Sequence, residues 1–168
     1  MEYSYGLLEK HFRDPALVDS NLLLLYLVGR CDPRIIPRFQ RTKKYTIEDF
    51  EILGKILGRG IGRIVTTPNV LTEVSNLATK LGDEEQKSFL HTMREMVGTL
   101  DETYCPSGTA VQDQQFRKFG LTDAAILTIS SQGMLVLTDD LPLYLALSHR
   151  GVDVINFTHL RQEAGTLG

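Results

Sequence analysis

The sequence predicts an α/β domain built on a central parallel sheet, and three observations carry that prediction. Short apolar or β-branched runs alternate along the chain with longer amphipathic stretches, so strand-like and helix-like patterns take turns. No hairpin dipeptide joins any two of the strand candidates, which leaves crossover connections and therefore parallel neighbours. The composition is that of an ordinary globular domain, with 42% hydrophobic and 23% charged residues. At 168 residues the chain holds one core and is too short for two. No repeat, low-complexity tract or linker interrupts it. Residues 1–168 are expected to form a single domain with its core from about residue 15 to 158.

Each element has a local reason. Ala16–Val18 is a short apolar strand candidate that stops abruptly at Asp19-Ser20-Asn21. Residues 22–28 form an apolar run too long for the same strand, so they read as a buried helix, ending at Gly29. Pro33 and Pro37 mark residues 31–44 as an irregular connection. Thr46, with Asp49 three residues on, is an N-cap opening a helix to about residue 57, before Gly58. Residues 63–66 are a short β-branched strand. Thr67 then caps a helix with Pro68 at its first position, and Val70, Leu71, Val74, Leu77, Ala78 and Leu81 repeat at helical spacing.

A second amphipathic helix spans 84–97, and Thr103-Tyr104-Cys105 is a weak strand closed by Pro106. Residues 109–118 are predicted helical and ended by Gly120, after which Thr122 caps a nearly all-apolar helix over 123–131. Residues 134–137 are the clearest strand. They lead into Thr138-Asp139-Asp140, a helix over 141–149 ending at Gly151, and a last strand over 152–156. The sum is a Rossmann-like three-layer sandwich, helices flanking a parallel sheet.

Several function classes drop out. The longest apolar run, 22–28, is seven residues and does not span a bilayer. The first fourteen positions carry Glu2, Glu9, Lys10, Arg13 and Asp14, so no secretory leader is expected and cytoplasm is the default compartment. Cys31 and Cys105 fit neither a disulfide framework nor a zinc site, and His11, His91, His149 and His159 lack metal-ligand spacing. Gly58-Arg59-Gly60-Ile61-Gly62 follows a helix and precedes a strand, the reverse of a dinucleotide fingerprint, and reads as a turn. A net charge of −3 argues against a general nucleic-acid coat. Yet residues 30–44 hold six basic residues (Arg30, Arg34, Arg38, Arg41, Lys43, Lys44) against one acid, Asp32.

In a parallel sheet, ligands gather outside the carboxyl ends of the strands. The residue after the first strand is Asp19, and those after the strand 134–137 are Thr138, Asp139 and Asp140. Asp123 opens a helix that is otherwise apolar, and Glu73 lies on the border of its helix's apolar stripe. Each of these acids has an ordinary structural reading: a first-turn Asp123, an N-cap at Asp139 or Asp140, a solvated Glu73. Asp19, between two apolar runs, is the costliest to explain so. Carboxylates gathered unpaired at one edge repel and raise one another's pKa, and a divalent cation removes that cost. Oxygen ligands without His or Cys favour Mg²⁺ or Mn²⁺.

Leu17-Val18-Asp19-Ser20-Asn21, Thr67-Pro68-Asn69-Val70-Leu71-Thr72-Glu73-Val74, Leu121-Thr122-Asp123-Ala124-Ala125-Ile126 and Val136-Leu137-Thr138-Asp139-Asp140 resemble the four motifs of the PIN domain, in the family's order. The resemblance runs from Ala16 to about Phe157. It implies a PIN-like fold and a Mg²⁺- or Mn²⁺-dependent endoribonuclease of single-stranded RNA, similar to toxins of the virulence-associated protein C type and held in check by an antitoxin or immunity partner. Catalytic roles are carried onto Asp19, Glu73, Asp123 and Asp140, with Asp19, Asp123 and Asp140 as metal ligands. Asn21 and Thr138 would orient them, with Asp139 in reserve beside Asp140. A PIN-like RNA- or protein-binding module that does not cut is the alternative. A phosphatase-like Rossmannoid with Asp19 as nucleophile is weakened by Asn21, which stands where a second Asp would act as acid.

The basic helical insertion, residues 29–62, is longer and more basic than in the smallest toxins. Arg34, Arg38, Arg41, Lys43 and Lys44 are the candidate backbone contacts to RNA, and Phe39 or Tyr45 the candidate base-stacking rings, against a solvated loop. A homodimer through the apolar helices 22–28 and 84–97 is a further expectation, with burial in the core the competing one.

Overall fold

The computed structural model describes residues 2–130 and 133–165. Its centre is a five-stranded sheet of β1 (Ala16–Val18), β2 (Ile64–Thr66), β3 (Asp101–Glu102), β4 (Leu135–Thr138) and β5 (Asp153–Asn156), in the order β3-β2-β1-β4-β5. Every neighbouring pair is parallel, as the absence of hairpin turns predicts. The chain winds outward from β1 to β3 and then returns to add β4 on β1's other side. The topological switch point therefore lies between β1 and β4, where the backbone N–H of Asp19 donates to the carbonyl of Leu137 at 3.0 Å. Helices flank the sheet: α1 (Glu2–Lys10), α2 (Ser20–Cys31), α3 (Ile47–Lys55), α4 (Pro68–Ala78), α5 (Asp83–Val97), α6 (Ser107–Ala110), α7 (Phe116–Ile129), α8 (Leu141–His149) and α9 (Phe157–Gly165). The arrangement is the expected Rossmann-like three-layer sandwich.

The caps that the sequence marks are in place. Thr46 and Asp49 form a capping box at α3, and the Thr67 hydroxyl accepts from the Val70 N–H at 3.1 Å ahead of Pro68. Gly151, at φ 72°, follows the end of α8.

Other boundaries differ for physical reasons. Helix α2 starts at Ser20, capped by the Asp19 carboxylate, and runs past Gly29 to Cys31. Gly29 is not a stop. A Cβ there would lie 2.2 Å from the Phe50 ring, so glycine allows α3 to sit against α2. The leucine run 22–28 is buried throughout except Tyr26, so α2 is core and not a dimer face. Strand β3 is Asp101–Glu102, not Thr103-Tyr104-Cys105. β2 ends at Thr66 because Thr67 turns to cap α4, so after Thr103 N–H meets the Thr66 carbonyl at 2.8 Å no partner is left. The Asp-Glu pair is tolerated because it lies on the sheet edge.

The predicted helix over 109–118 is broken into α6 and the first turn of α7. Asp113 accepts from the Gln115 N–H and is gripped by both Arg150 nitrogens at 2.7 and 2.8 Å, which fixes a turn there. Gly120, at φ 80° and ψ −175°, interrupts α7, so the buried helix resumes at Leu121 with Gly120 at the capping position and Thr122 inside it. Its predicted last residue, Ser131, lies outside the described residues.

Residues 31–44 are the irregular connection that their prolines predict, turns with one 3₁₀ stretch (Pro33–Ile35), yet they bury Ile35, Ile36 and Phe39, and Tyr45 follows into the core. Helix α3 adds Leu53 to that core and runs into a π-helical turn (Ile56–Gly60). The charged first residues, without a helix expectation, form α1, which packs on β5 and is tied there by Lys10 and His11 to Asp153 at 2.6 and 2.7 Å. Among the described residues no helix is long and apolar enough to cross a membrane.

Candidate active site

The switch point places the predicted acids on one edge. Asp19 follows β1 and is 3% exposed. One carboxylate oxygen accepts from the Leu22 N–H at 2.8 Å; the other accepts from the Thr138 hydroxyl at 2.5 Å and the Asp139 N–H at 2.9 Å. Thr138 also accepts from the Asp140 N–H at 3.0 Å, so one hydroxyl braces both strand ends. Asp140 caps α8 through Oδ1, which accepts from the Leu143 N–H at 2.7 Å, while no described residue donates to its Oδ2.

Asp123 and Glu73 come from the sides. Glu73 is half-buried on α4, and its Oε2 accepts from the Ser20 hydroxyl at 2.9 Å. Asp123 is half-buried on α7 and receives no hydrogen bond from the described residues. Burial raises its pKa to about 7, helped by the negative charges of Asp140, Asp19 and Glu73. Burial likewise raises Asp19 to about 6, against the opposing hydrogen bonds from Thr138, Leu22 and Asp139. All four predicted acids thus share one electrostatic environment.

Pairing separates these acids from four others that are also buried or half-buried. Asp139, Asp49, Asp113 and Asp153 each hold a cation at 2.6–2.8 Å: Lys44, Arg161, Arg150 and Lys10. Among the described residues no Lys or Arg pairs with Asp19, Glu73, Asp123 or Asp140. Nor do three His, Cys, Asp or Glu side chains among those residues close on a common point. The donor set still fits Mg²⁺ or Mn²⁺, because a hard octahedral ion keeps several waters and needs only one or two carboxylates. Free oxygens remain on Asp123, Asp140 and Glu73 for that purpose.

The secondary candidates divide. Thr138 does brace the Asp19 carboxylate and holds Asp140 by its backbone N–H, whereas Asn21 is half-buried with no hydrogen bond to the acids. Asp139, 2% exposed, turns away from its neighbours to accept from Lys44 (2.6 Å), Tyr45 (2.7 Å) and Thr158. Burial raises its pKa, but those donors more than offset that and hold it below the ordinary carboxylate value. Ser20 is the residue sequence reasoning missed. Its place between Asp19 and Asn21, in the first turn of α2, is the signal that was available.

Of the five candidate RNA contacts in the basic insertion, three are committed. Arg34 chelates Asp32, Arg38 meets Glu85 at 2.5 Å, and Lys44 is the partner of Asp139, which leaves exposed Arg41 and Lys43 without ion pairs among the described residues. Phe39 and Tyr45 are not base-stacking rings. They are 5% and 2% exposed, because their segment packs into the core.

No protein-family model matches this chain, and no curated protein matches it.

Proposed function

We propose that this protein is a divalent-metal-dependent endoribonuclease of PIN-like type, cutting single-stranded RNA to leave 5′-phosphate and 3′-hydroxyl ends. The observation that carries the reading is the unpaired acidic edge. Four carboxylates gather at the switch point without a cation, while Asp139, Asp113 and Asp49, also buried or half-buried, each hold one. A divalent ion bound there would neutralise the scissile phosphate and lower the pKa of the attacking water. Thr138 and the Asp139 N–H hold Asp19 in one orientation, and Ser20 holds Glu73. Asp123 is left free to bind. Arg41 and Lys43 would add sequence-independent attraction for the RNA backbone. A cytoplasmic toxin or defence effector restrained by an antitoxin is the biological setting that the motif resemblance supports.

A binding module that does not cut is the second reading. It is favoured by Asp19 and Asp140 both capping helices and by the absence of three converging ligands among the described residues. The deciding experiment is incubation of a mixed-sequence single-stranded RNA with the protein in Mn²⁺, Mg²⁺ or EDTA, beside Asp123→Asn. Metal-dependent cutting lost in the variant is the expected result. Cutting that survives in Asp123→Asn refutes the site, and a folded protein inert in both ions favours the module.

A further inference from the structure

Behind the acidic edge lies a second polar cluster, centred on Asp139. The Asp139 backbone serves the edge: its N–H donates to Asp19 Oδ2 at 2.9 Å. In the chain it stands between Asp140 and Thr138, whose hydroxyl donates to the same Asp19 oxygen. Its carboxylate serves other segments. Oδ2 accepts from Lys44 Nζ at 2.6 Å and from the Tyr45 hydroxyl at 2.7 Å, and Oδ1 accepts from the Thr158 hydroxyl. Those donors are themselves held. Arg161 of α9 donates to the Lys44 carbonyl at 3.2 Å and to Asp49 at 2.8 Å, and its guanidinium lies 5.5 Å from the centre of the Tyr45 ring. The Phe157 ring packs on Tyr45 from a centre-to-centre distance of 6.5 Å.

Stability alone does not explain a buried pair at this position. Desolvating the two charges is costly, and apolar residues of similar volume often replace such a pair without loss. The end of β4 is already held by its ladder with β5, in which Thr138 pairs with Asn156. What the cluster adds is a fixed place for the turn 138–140. That turn supplies two of the three hydrogen bonds to Asp19 and carries Asp140. Tyr45 is 2% exposed, so it does not reach RNA, and its hydroxyl meets the edge through Asp139. Burial and the hydrogen bond to Asp139 raise the pKa of Tyr45, which keeps that hydroxyl a donor. We propose that Lys44 and Tyr45, from the insertion, are positioning residues that act through Asp139 to hold Asp19 and Asp140 in place at the edge. Their consequence for metal and cleavage rests on the nuclease reading, whereas the anchoring of Asp19 does not.

Tyr45→Phe and Lys44→Met each withdraw one donor and keep most of the side chain. Amide hydrogen exchange followed by NMR in EDTA reads the anchoring directly. In both variants the Asp139 and Leu22 N–H groups, which donate to Asp19, should exchange about tenfold faster relative to the amides of the β1–β4 ladder. Gly29→Ala, at the far end of α2, should leave that ratio unchanged while lowering overall stability. Calorimetric Mn²⁺ affinity should fall about tenfold in Tyr45→Phe, and cleavage should lose kcat with KM for RNA unchanged. Added to Asp139→Leu, Tyr45→Phe should have no further effect, because the path to the edge is already cut; Thr158→Val, which withdraws the third donor, should reproduce the faster exchange. Exchange ratios equal to wild type overturn the positioning role. So does a Tyr45→Phe effect that persists in Asp139→Leu, or Mn²⁺ affinity and kcat that match an active wild type. Faster exchange in the variants of a protein that neither binds Mn²⁺ nor cuts RNA overturns the nuclease reading alone.

Discussion

An acidic edge without cations should make the metal-free protein less stable than it need be, and Asp123 is where that cost is measurable. Its pKa is raised from 3.8 to about 7, first by burial and then by Asp140, Asp19 and Glu73. Between those values the native state keeps a proton that the unfolded chain has released. Stability therefore falls as pH rises through that window and levels off above about 7. At ~1.4 kcal/mol per decade the full penalty is about 4 kcal/mol, and solvent reaching the half-buried group reduces it to about 2 kcal/mol. Asp123→Asn removes the charge and keeps the shape. In EDTA at pH 8 the variant should be about 2 kcal/mol more stable than the wild type, or about 4–8 °C higher in melting temperature for a domain of this size. Near pH 4 the difference should close.

Urea melts at pH 4.5 and pH 8, with and without Mn²⁺, make the assay. Mn²⁺ should raise the wild type by mass action, about 2.7 kcal/mol at a hundredfold over its dissociation constant, and the variant by less. A variant less stable than wild type at pH 8 in EDTA would show that the carboxylate is a structural hydrogen-bond acceptor and not part of a strained edge. A gain of the same size at both pH values would also refute the reasoning, because the penalty must follow ionisation.

Two further substitutions test the packing around the site. Lys44→Ala leaves the buried Asp139 carboxylate with only the Tyr45 and Thr158 hydroxyls, and should cost about 2 kcal/mol by thermal or urea unfolding; a drop in RNA affinity at unchanged stability would return Lys44 to the RNA-binding surface. Gly29→Ala puts a methyl group 2.2 Å from the Phe50 ring and should destabilise by about 1–3 kcal/mol, whereas an ordinary helix-interior Gly→Ala change stabilises; a raised melting temperature would mean that Gly29 is only a helix-weakening residue.

The sheet was readable because parallel strands buried on both faces leave continuous apolar runs: β1, β2 and β4 all fall within the predicted segments or one residue of them. Caps were readable where the chemistry is local, as in Thr46 with Asp49 and Thr67 with Pro68. What failed was set by distant partners. Gly29 reads as a stop in isolation and is a contact with Phe50 in the fold. Asp101–Glu102 has the composition of a loop and is a strand because β2 lies beside it with Arg63 pairing Asp101 at 2.9 Å. The helix over 109–118 loses its middle to Arg150, 37 residues from Asp113.

At the site the same division decides which acids matter. Position after a strand brought Asp19, Asp139 and Asp140 forward together, and nothing local separates the last two. The fold separates them through Lys44 and Tyr45, more than ninety residues away, which bind Asp139 and leave Asp140 with a free oxygen. The basic run that looked like an RNA arm supplies that very cation, so its charge count overstated its reach. A carboxylate's availability is a property of what the rest of the chain declines to give it, and no spacing rule records that. The unpaired set is therefore better evidence for a site than the motif positions alone. Asp139 sits in a motif and is bound into the structure, while Asp123, with an equally ordinary first-turn reading, is left unpaired and raised to about 7, first by burial and then by Asp140, Asp19 and Glu73.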